Sequence, residues 1–247
     1  SETDSLGTRE IADELYYGVQ TLRGIENFHI TGIPISSEPF LIAAFGYVKK
    51  AAAQANSELG VLPQDKADAI CLACDRLIAG QYLDQFPTDM IQGGAGTSTN
   101  MNVNEVLANV ALELMHEPKG AYHIISPNDH VNCSQSTNDT YPTAFRVALI
   151  HRMVGYRKTL IDLADAFEQK GHEFAGFLKM GRTHLQDAVP MSMGDEFRGF
   201  ATNLREEVER IDVAIRLLME VNMGATAIGT SVNAPNGYPD LVVQRLS

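Results

Sequence analysis

The sequence predicts an all-α protein, a small N-terminal helical domain followed by long bundle helices, on three observations. Two long segments keep helical periodicity, an alanine-rich stretch reads as a further helix, and no run of alternating strands appears in the 247 residues. The first 40 residues read as irregular, punctuated by Gly7, Gly18, Gly24, Gly32, Pro34 and Pro39. Helix is expected from Pro39 through Ala55, and again over 64–79, where Gly80 ends it. A long helix is expected to start at Pro142, a favoured first-turn residue, and to run through Val147, Ile150, Val154, Leu160, Leu163 and Phe167 towards Gly171. Late in the chain Phe197, Ala201, Leu204, Val208, Ile211, Ile215 and Leu218 alternate spacings of four and three, with Arg205, Glu206, Glu207, Glu209, Arg210 and Asp212 on the other faces. That is a coiled-coil-like seam. Two helices of this length need partners along their whole seams, which points to a multi-chain bundle. We divide the chain into an N-terminal domain, 1–139, and the first, incomplete part of a long-helix domain, 140–247.

Composition narrows the function. Hydrophobic residues at 45% and charged residues at 20% are ordinary for a globular protein. A formal charge of -12 argues against nucleic-acid and anionic-membrane partners, both of which need a basic face. An anionic small substrate stays open, because a few local donors outweigh a distant negative surface. The N-terminal SETDSLGTRE has acidic residues and no apolar core, so no signal peptide is expected there, and no stretch approaches the ~18 to 20 apolar residues of a membrane span. Cys71, Cys74 and Cys133 form an odd set that suits a reducing, cytoplasmic setting. Cys71 and Cys74 form a C-x-x-C, but with no second pair and no preceding strand they read as plain helix cysteines. The glycosylation sequons at 132–134 and 138–140 carry no meaning without a secretory signal.

Three segments are polar and hydroxyl-rich where a bundle should be apolar. In GGAGTSTNMNVNEVLAN, residues 93–109, Gly93, Gly94 and Gly96 would let a ligand approach the backbone, and Thr97, Ser98 and Thr99 sit at a helix start. Such a terminus offers free N–H groups and a positive dipole end to a carboxylate or phosphate. No Lys follows the glycines and no strand precedes them, so a phosphate loop is not supported. In SPNDHVNCSQSTNDTYPT, residues 126–143, Ser134, Ser136, Thr137, Asn138, Asp139 and Thr140 crowd ahead of Pro142. In MGRTHLQDAVP, residues 180–190, Arg182, Thr183, His184, Gln186 and Asp187 occupy a loop between the two long helices. Each segment alone reads equally as a capped loop. Together, three donor-rich loops at helix ends suit a substrate with two carboxylates. No H-E-x-x-H, G-x-S-x-G or G-x-G-x-x-G is present, so metalloprotease, esterase and dinucleotide readings lack support.

These segments, in this order, resemble the conserved regions of the aspartase/fumarase superfamily. The resemblance spans the chain, from GTREI and YYGVQTLRGIENF to GATAIGT at 224–230. The aspartase branch fits best on GGAGTS and PNDHVN. Fumarases usually carry Gly-Ser-Gly-Thr-Gln in the first loop, His before Pro-Asn-Asp, and Ser-Ser-Asn-Asp in the second, where this chain has Ala95, Ser98, Ser126 and Thr137. The resemblance implies an L-aspartase-like fold, truncated here, and reversible conversion of L-aspartate to fumarate and ammonia. It implies that Thr97, Ser136 and Thr137 hold the β-carboxylate, that Thr183 helps hold the α-carboxylate, and that Asn138 and His184 face the amino group. It implies a homotetramer whose active sites are shared between subunits, and no cofactor or metal-ligand set; activation by a divalent cation is not written in the residues.

Loss of the Cβ proton makes the β-carboxylate a doubly charged aci-carboxylate, and preorganised donors that tighten as charge develops lower that barrier. The family's base is a serine in a loop reading Gly-Ser-Ser-x-Met-Pro-x-Lys-x-Asn. These 247 residues contain no such motif, and Ser36-Ser37 is followed by Glu-Pro. No catalytic residue is therefore assigned within the chain, and the serine base is expected beyond Ser247, which itself follows a helix start. The chain is expected to be an N-terminal part of a longer enzyme and inactive alone. Fumarate hydratase, or a related dicarboxylate lyase, is the alternative on the same scaffold; a non-catalytic helical oligomer that keeps the anion loops is the alternative of another class.

Overall fold

Helix dominates the chain, and several of its helix ends are fixed by side chains from distant segments. The computed structural model describes residues 1–94 and 96–247, so Ala95 of the first glycine loop lies outside them. The chain forms two compact units, residues 1–148 with 221–247, and residues 149–220. The contiguous division at residue 139 does not follow these units, because the last segment of the chain packs with the first unit, where Tyr238 and Val242 are buried.

In the first unit a short hairpin, β1 (Glu2–Asp4) and β2 (Gly7–Arg9), precedes α1 (Val19–Asn27). Residues 19–27 are therefore helical, not irregular as their glycines suggest. Its N-terminal amides are capped from elsewhere: Glu105 accepts from Gly18 N, Gln20 N and Thr21 N at 2.8, 2.8 and 3.1 Å, and Glu2 accepts from Val19 N at 2.9 Å. A buried carboxylate on another helix thus does what an N-cap residue does locally.

Helices α2 (Pro39–Glu58), α3 (Gln64–Ile78), α4 (Thr97–Leu114) and α7 (Tyr238–Leu246) surround a core that includes Phe45, Val48, Ile70, Leu77, Val103 and Leu107. Ala44, Ala51, Ala52 and Ala55 are buried on α2, and small residues there admit its neighbours closely. Gly46 marks the tightest approach, since a Cβ would sit 2.7 Å from Ile78 of α3. Gly80 ends α3 as expected: Gly80 N donates to Leu77 O and Gln81 N to Arg76 O, a Schellman pair with Gly80 at φ +78°. Cys71 and Cys74 lie one turn apart on α3, and burial pushes the Cys71 thiol up to about 11 and the Cys74 thiol well above its ordinary value. Ser247 is the C-cap of α7, its amide donating to Val243 O and its hydroxyl to Gln244 O, both at 3.1 Å.

Helix α5 (Thr137–Glu173) begins five residues before the expected start, so Pro142 lies inside it. Proline has no amide to offer the carbonyl one turn back, that of Asn138. Asn222 Nδ2 donates to that oxygen instead, at 3.1 Å.

In the second unit the α5 residues from 149 onward pack on α6 (Met193–Leu218), with Leu160, Val208 and Ile211 buried and Met153, Ile161, Leu204 and Ile215 around them. Arg157 forks onto Asp212 at 2.6 and 3.0 Å. Between these helices the expected loop is instead a hairpin, β3 (Leu178–Thr183) and β4 (Gln186–Ser192), in which Thr183 pairs with Gln186. His184 and Leu185, at φ +49° and +63°, make its two-residue turn. Val154, Phe200, Val213 and Leu217 of this unit are exposed. Among the described residues, no helix is long and apolar enough to cross a membrane.

Candidate active site

A glycine-bounded loop meets the start of α5 in the first unit. A cavity of about 500 Å³ is lined by Met90, Ile91, Gln92, Gly94, Gly96, Asn138, Tyr141 and Pro142. A Cβ on Gly93 would meet the Phe28 ring, and one on Gly96 would run into the Tyr141 ring, so packing alone already requires glycine at these two positions. Gly94, at φ +76°, would place a Cβ 3.7 Å from Thr97 Oγ1, an ordinary contact, so its backbone conformation rather than crowding favours glycine.

Thr97 opens α4 behind Gly96, as the sequence suggested, with no side-chain cap on Gly96. Gln92 grips the first turn from both ends of its amide: Thr99 N donates to Oε1 at 2.8 Å, and Nε2 donates to Thr99 Oγ1 at 2.6 Å. The amides of Thr97 and Ser98 come earlier in that turn, where no carbonyl lies one turn back to receive them. Thr97 is exposed, whereas Ser98 lines a different cavity with Arg23 and Asn27.

The start of α5 is a reciprocal capping box. Ser136 N donates to Asp139 Oδ1 at 2.9 Å, and Asn138 N donates to Ser136 Oγ at 3.1 Å. Asp139 is fully buried and its other oxygen accepts from Gly224 N and Thr226 N at 3.1 and 2.9 Å, which ties the GATAIGT segment to the helix start. Asn138 is also anchored there, Nδ2 donating to Ala227 O at 2.8 Å. Its Oδ1 is thereby the end of the amide left to accept.

Thr183 and His184 belong to the second unit, exposed on the last position of β3 and the first position of the turn. Two successive non-glycine residues in the left-handed region cost of order 1 kcal/mol each, which the two-residue turn of the hairpin requires.

Sequence reasoning missed the layer behind Thr137. Lys49 of α2 is fully buried, its Nζ 2.9 Å from both Asn132 Oδ1 and Gln135 Oε1. Burial pushes its pKa down to about 7, against the pull of the Asp139 charge. Asn100 Nδ2 donates to Asn132 Oδ1 at 3.1 Å and to Thr137 Oγ1 at 3.0 Å, and Asn104 Nδ2 donates to the same Asn132 oxygen at 3.2 Å. The available signal was the set of asparagines at 100, 102, 104 and 109, interleaved with apolar residues along one helix.

Residues 7–247 match the lyase family. The aspartate ammonia-lyase of Pseudomonas aeruginosa is 56% identical over 247 residues, all of this chain and 52% of that protein. The crystal structure of fumarate lyase:delta crystallin from Brucella melitensis bound to cobalt superposes with a TM-score of 0.96 at 50% identity, over 100% of this chain and 54% of that one. The recombinant class II fumarase from Schistosoma mansoni gives a TM-score of 0.88 at 36% identity, over 99% of this chain and 51% of that one. The chain thus spans about half the length of the relatives it matches.

Proposed function

We propose, from the premise that this chain belongs to the lyase family, that the protein carrying it is an aspartate ammonia-lyase. L-aspartate loses its Cβ proton and then its amine, giving fumarate and ammonia through an aci-carboxylate. Thr97, Ser136 and Thr137 hold the β-carboxylate with hydroxyl and amide donors, Thr183 helps hold the α-carboxylate, and Asn138 and His184 face the amine. The observation that carries the reading is Asn138: with Nδ2 fixed on Ala227 O, its Oδ1 is turned to accept from the substrate's α-ammonium group, which has only donors to give until the C–N bond breaks and it leaves as ammonia. The proton acceptor is the serine of the Gly-Ser-Ser motif, which is not among these 247 residues. The 247-residue chain by itself is accordingly expected to form no fumarate.

The exposed apolar side chains of the second unit support association with further copies, for which the family reading gives a homotetramer with shared sites; the odd set of cysteines suits a cytoplasmic protein, and the acidic composition argues against nucleic-acid and anionic-membrane partners. The reaction as written uses no cofactor. The likeness to a fumarase at 36% identity keeps fumarate hydration as the second reading. Fumarate absorbance, followed for the intact protein on L-aspartate and L-malate in parallel, separates the two. Turnover of malate without aspartate defeats the ammonia-lyase reading.

A further inference from the structure

We propose that Asn100 is a positioning residue for this reaction, one that never meets substrate but fixes Thr137 as a hydrogen-bond donor to it. The inference rests on the reading above only in taking Thr137 to face a substrate carboxylate. Asn100 is buried at 1% exposure, with Nδ2 3.1 Å from Asn132 Oδ1 and 3.0 Å from Thr137 Oγ1. An asparagine can present either end of its amide, so the polarity of such a network has to be set from outside it.

Lys49 sets it. Gln135 Nε2 is engaged by the carbonyls of Val131 and Cys133 at 3.0 and 3.1 Å, so Gln135 turns its oxygen towards Lys49. A lysine nitrogen has three N–H as an ammonium and two as an amine, so in either state it donates to both oxygens facing it, those of Gln135 and Asn132. With the Asn132 oxygen held towards Lys49, Asn100 must bring its amino group to that oxygen, since the reverse would set two carbonyl oxygens face to face. The second N–H of the same amino group then points at Thr137 Oγ1. An amide nitrogen does not accept, so the Thr137 hydroxyl accepts here and its own proton is directed away, towards the half-exposed side of the residue. The orientation leaves Asn100 Oδ1 buried without a partner, a cost that reversal would relieve by accepting from Thr137. Polarity imposed by Lys49 accounts for that unrelieved cost. A donor oriented before charge develops needs no reorganisation in the transition state.

A double-mutant cycle in the intact protein tests this, read on whichever of L-aspartate or L-malate the unaltered protein turns over. Asn100→Asp keeps the shape but presents only acceptors, so the Thr137 proton turns inward. Asn100→Asp and Thr137→Val are each expected to lower kcat by roughly 10²-fold, the loss of one oxyanion donor, with KM little changed. The double variant is expected to stay within about threefold of the worse single, because both changes remove the same interaction. Losses that multiply to about 10⁴-fold overturn the inference and leave the activity reading untouched. Turnover of malate alone overturns the activity reading, and the cycle still decides the role of Asn100. Should Asn100→Asp not fold, Asn100→Ala runs the same cycle without a buried charge and is again expected to be less than multiplicative.

Discussion

At Gly96 the backbone takes φ +87°, and the Tyr141 ring lies where a Cβ would project. Gly96→Ala meets both penalties at once, left-handed strain and a collision with an aromatic ring of the core. It is expected to lower stability to urea by about 2–4 kcal/mol. Tyr141→Ala in the same background relieves the collision and not the strain, so the double variant should lose less than the sum; strict additivity would show that the ring is not the obstacle. His116 is the opposite case. It is exposed at the end of α4 with φ +62°, where His116 N donates to Glu113 O and Glu117 N to Leu112 O. Glycine suits that position, so His116→Gly is expected to raise the urea midpoint by an equivalent of ~0.5–1 kcal/mol, a net of relieved strain against lost unfolded-state restriction. The positions of Gly93, Gly94 and Gly96 were legible as special in the sequence. Which of them packing demands was not, because Phe28 and Tyr141 reach Gly93 and Gly96 from distant parts of the chain.

The α5 start shows why element boundaries resist local reading. Pro142 ordinarily marks a first turn, yet the helix begins at Thr137, where the Ser136–Asp139 capping box and two amides from the 224–226 segment hold the first turn ahead of it. The carbonyl that Pro142 cannot serve is served by Asn222. Asn222→Ala is therefore expected to cost about 1 kcal/mol, and distinctly less in a Pro142→Ala background, where an amide returns to Asn138 O. Equal costs in both backgrounds, by urea unfolding, would show that Asn222 acts elsewhere. Helices α2, α3 and α6 were legible because their signals are local: an alanine-rich run, a closing Gly80, and the alternating four-and-three spacing from Phe197 to Leu218. Helix α1 and the β3–β4 hairpin were not: the first is capped by Glu105 and Glu2 from outside, and the second turns on His184-Leu185 rather than the Asn-Gly that signals a two-residue turn. The candidate hydroxyls were likewise legible as a cluster of donors, whereas the Asn100–Asn132–Lys49 layer that orients one of them exists only once α2 and α4 pack together with the 132–135 loop.

Across the molecule, a lysine in the core makes the stability of the first unit a function of pH. Burial lowers the Lys49 pKa to about 7, while in the unfolded chain a lysine titrates near ~10.4. Between those values the unfolded chain holds a proton that the folded one has given up, so stability rises with pH across that window. The buried thiols of Cys71 and Cys74 act in the other direction, since their raised folded pKa values make the unfolded chain lose its thiol protons first, from about pH 8.5 upward. Stability of the unaltered chain should thus climb from pH 7, pass a maximum near the onset of thiol ionisation at about pH 8.5, and fall above it, where two thiol terms outweigh one lysine term. Lys49→Met separates the two: both proteins keep the cysteines, so their terms largely cancel in the difference. That difference, unaltered chain minus Lys49→Met, is expected to grow by up to ~1.4 kcal/mol per pH unit above pH 7. The chain has no tryptophan, and of its eight tyrosines only Tyr156 lies in the second unit, so tyrosine fluorescence during urea unfolding reports the unit that contains Lys49. A difference that stays flat from pH 6 to 9 would mean that Lys49 keeps its proton in the fold, with Asn132, Gln135 and the Asp139 charge together offsetting its burial.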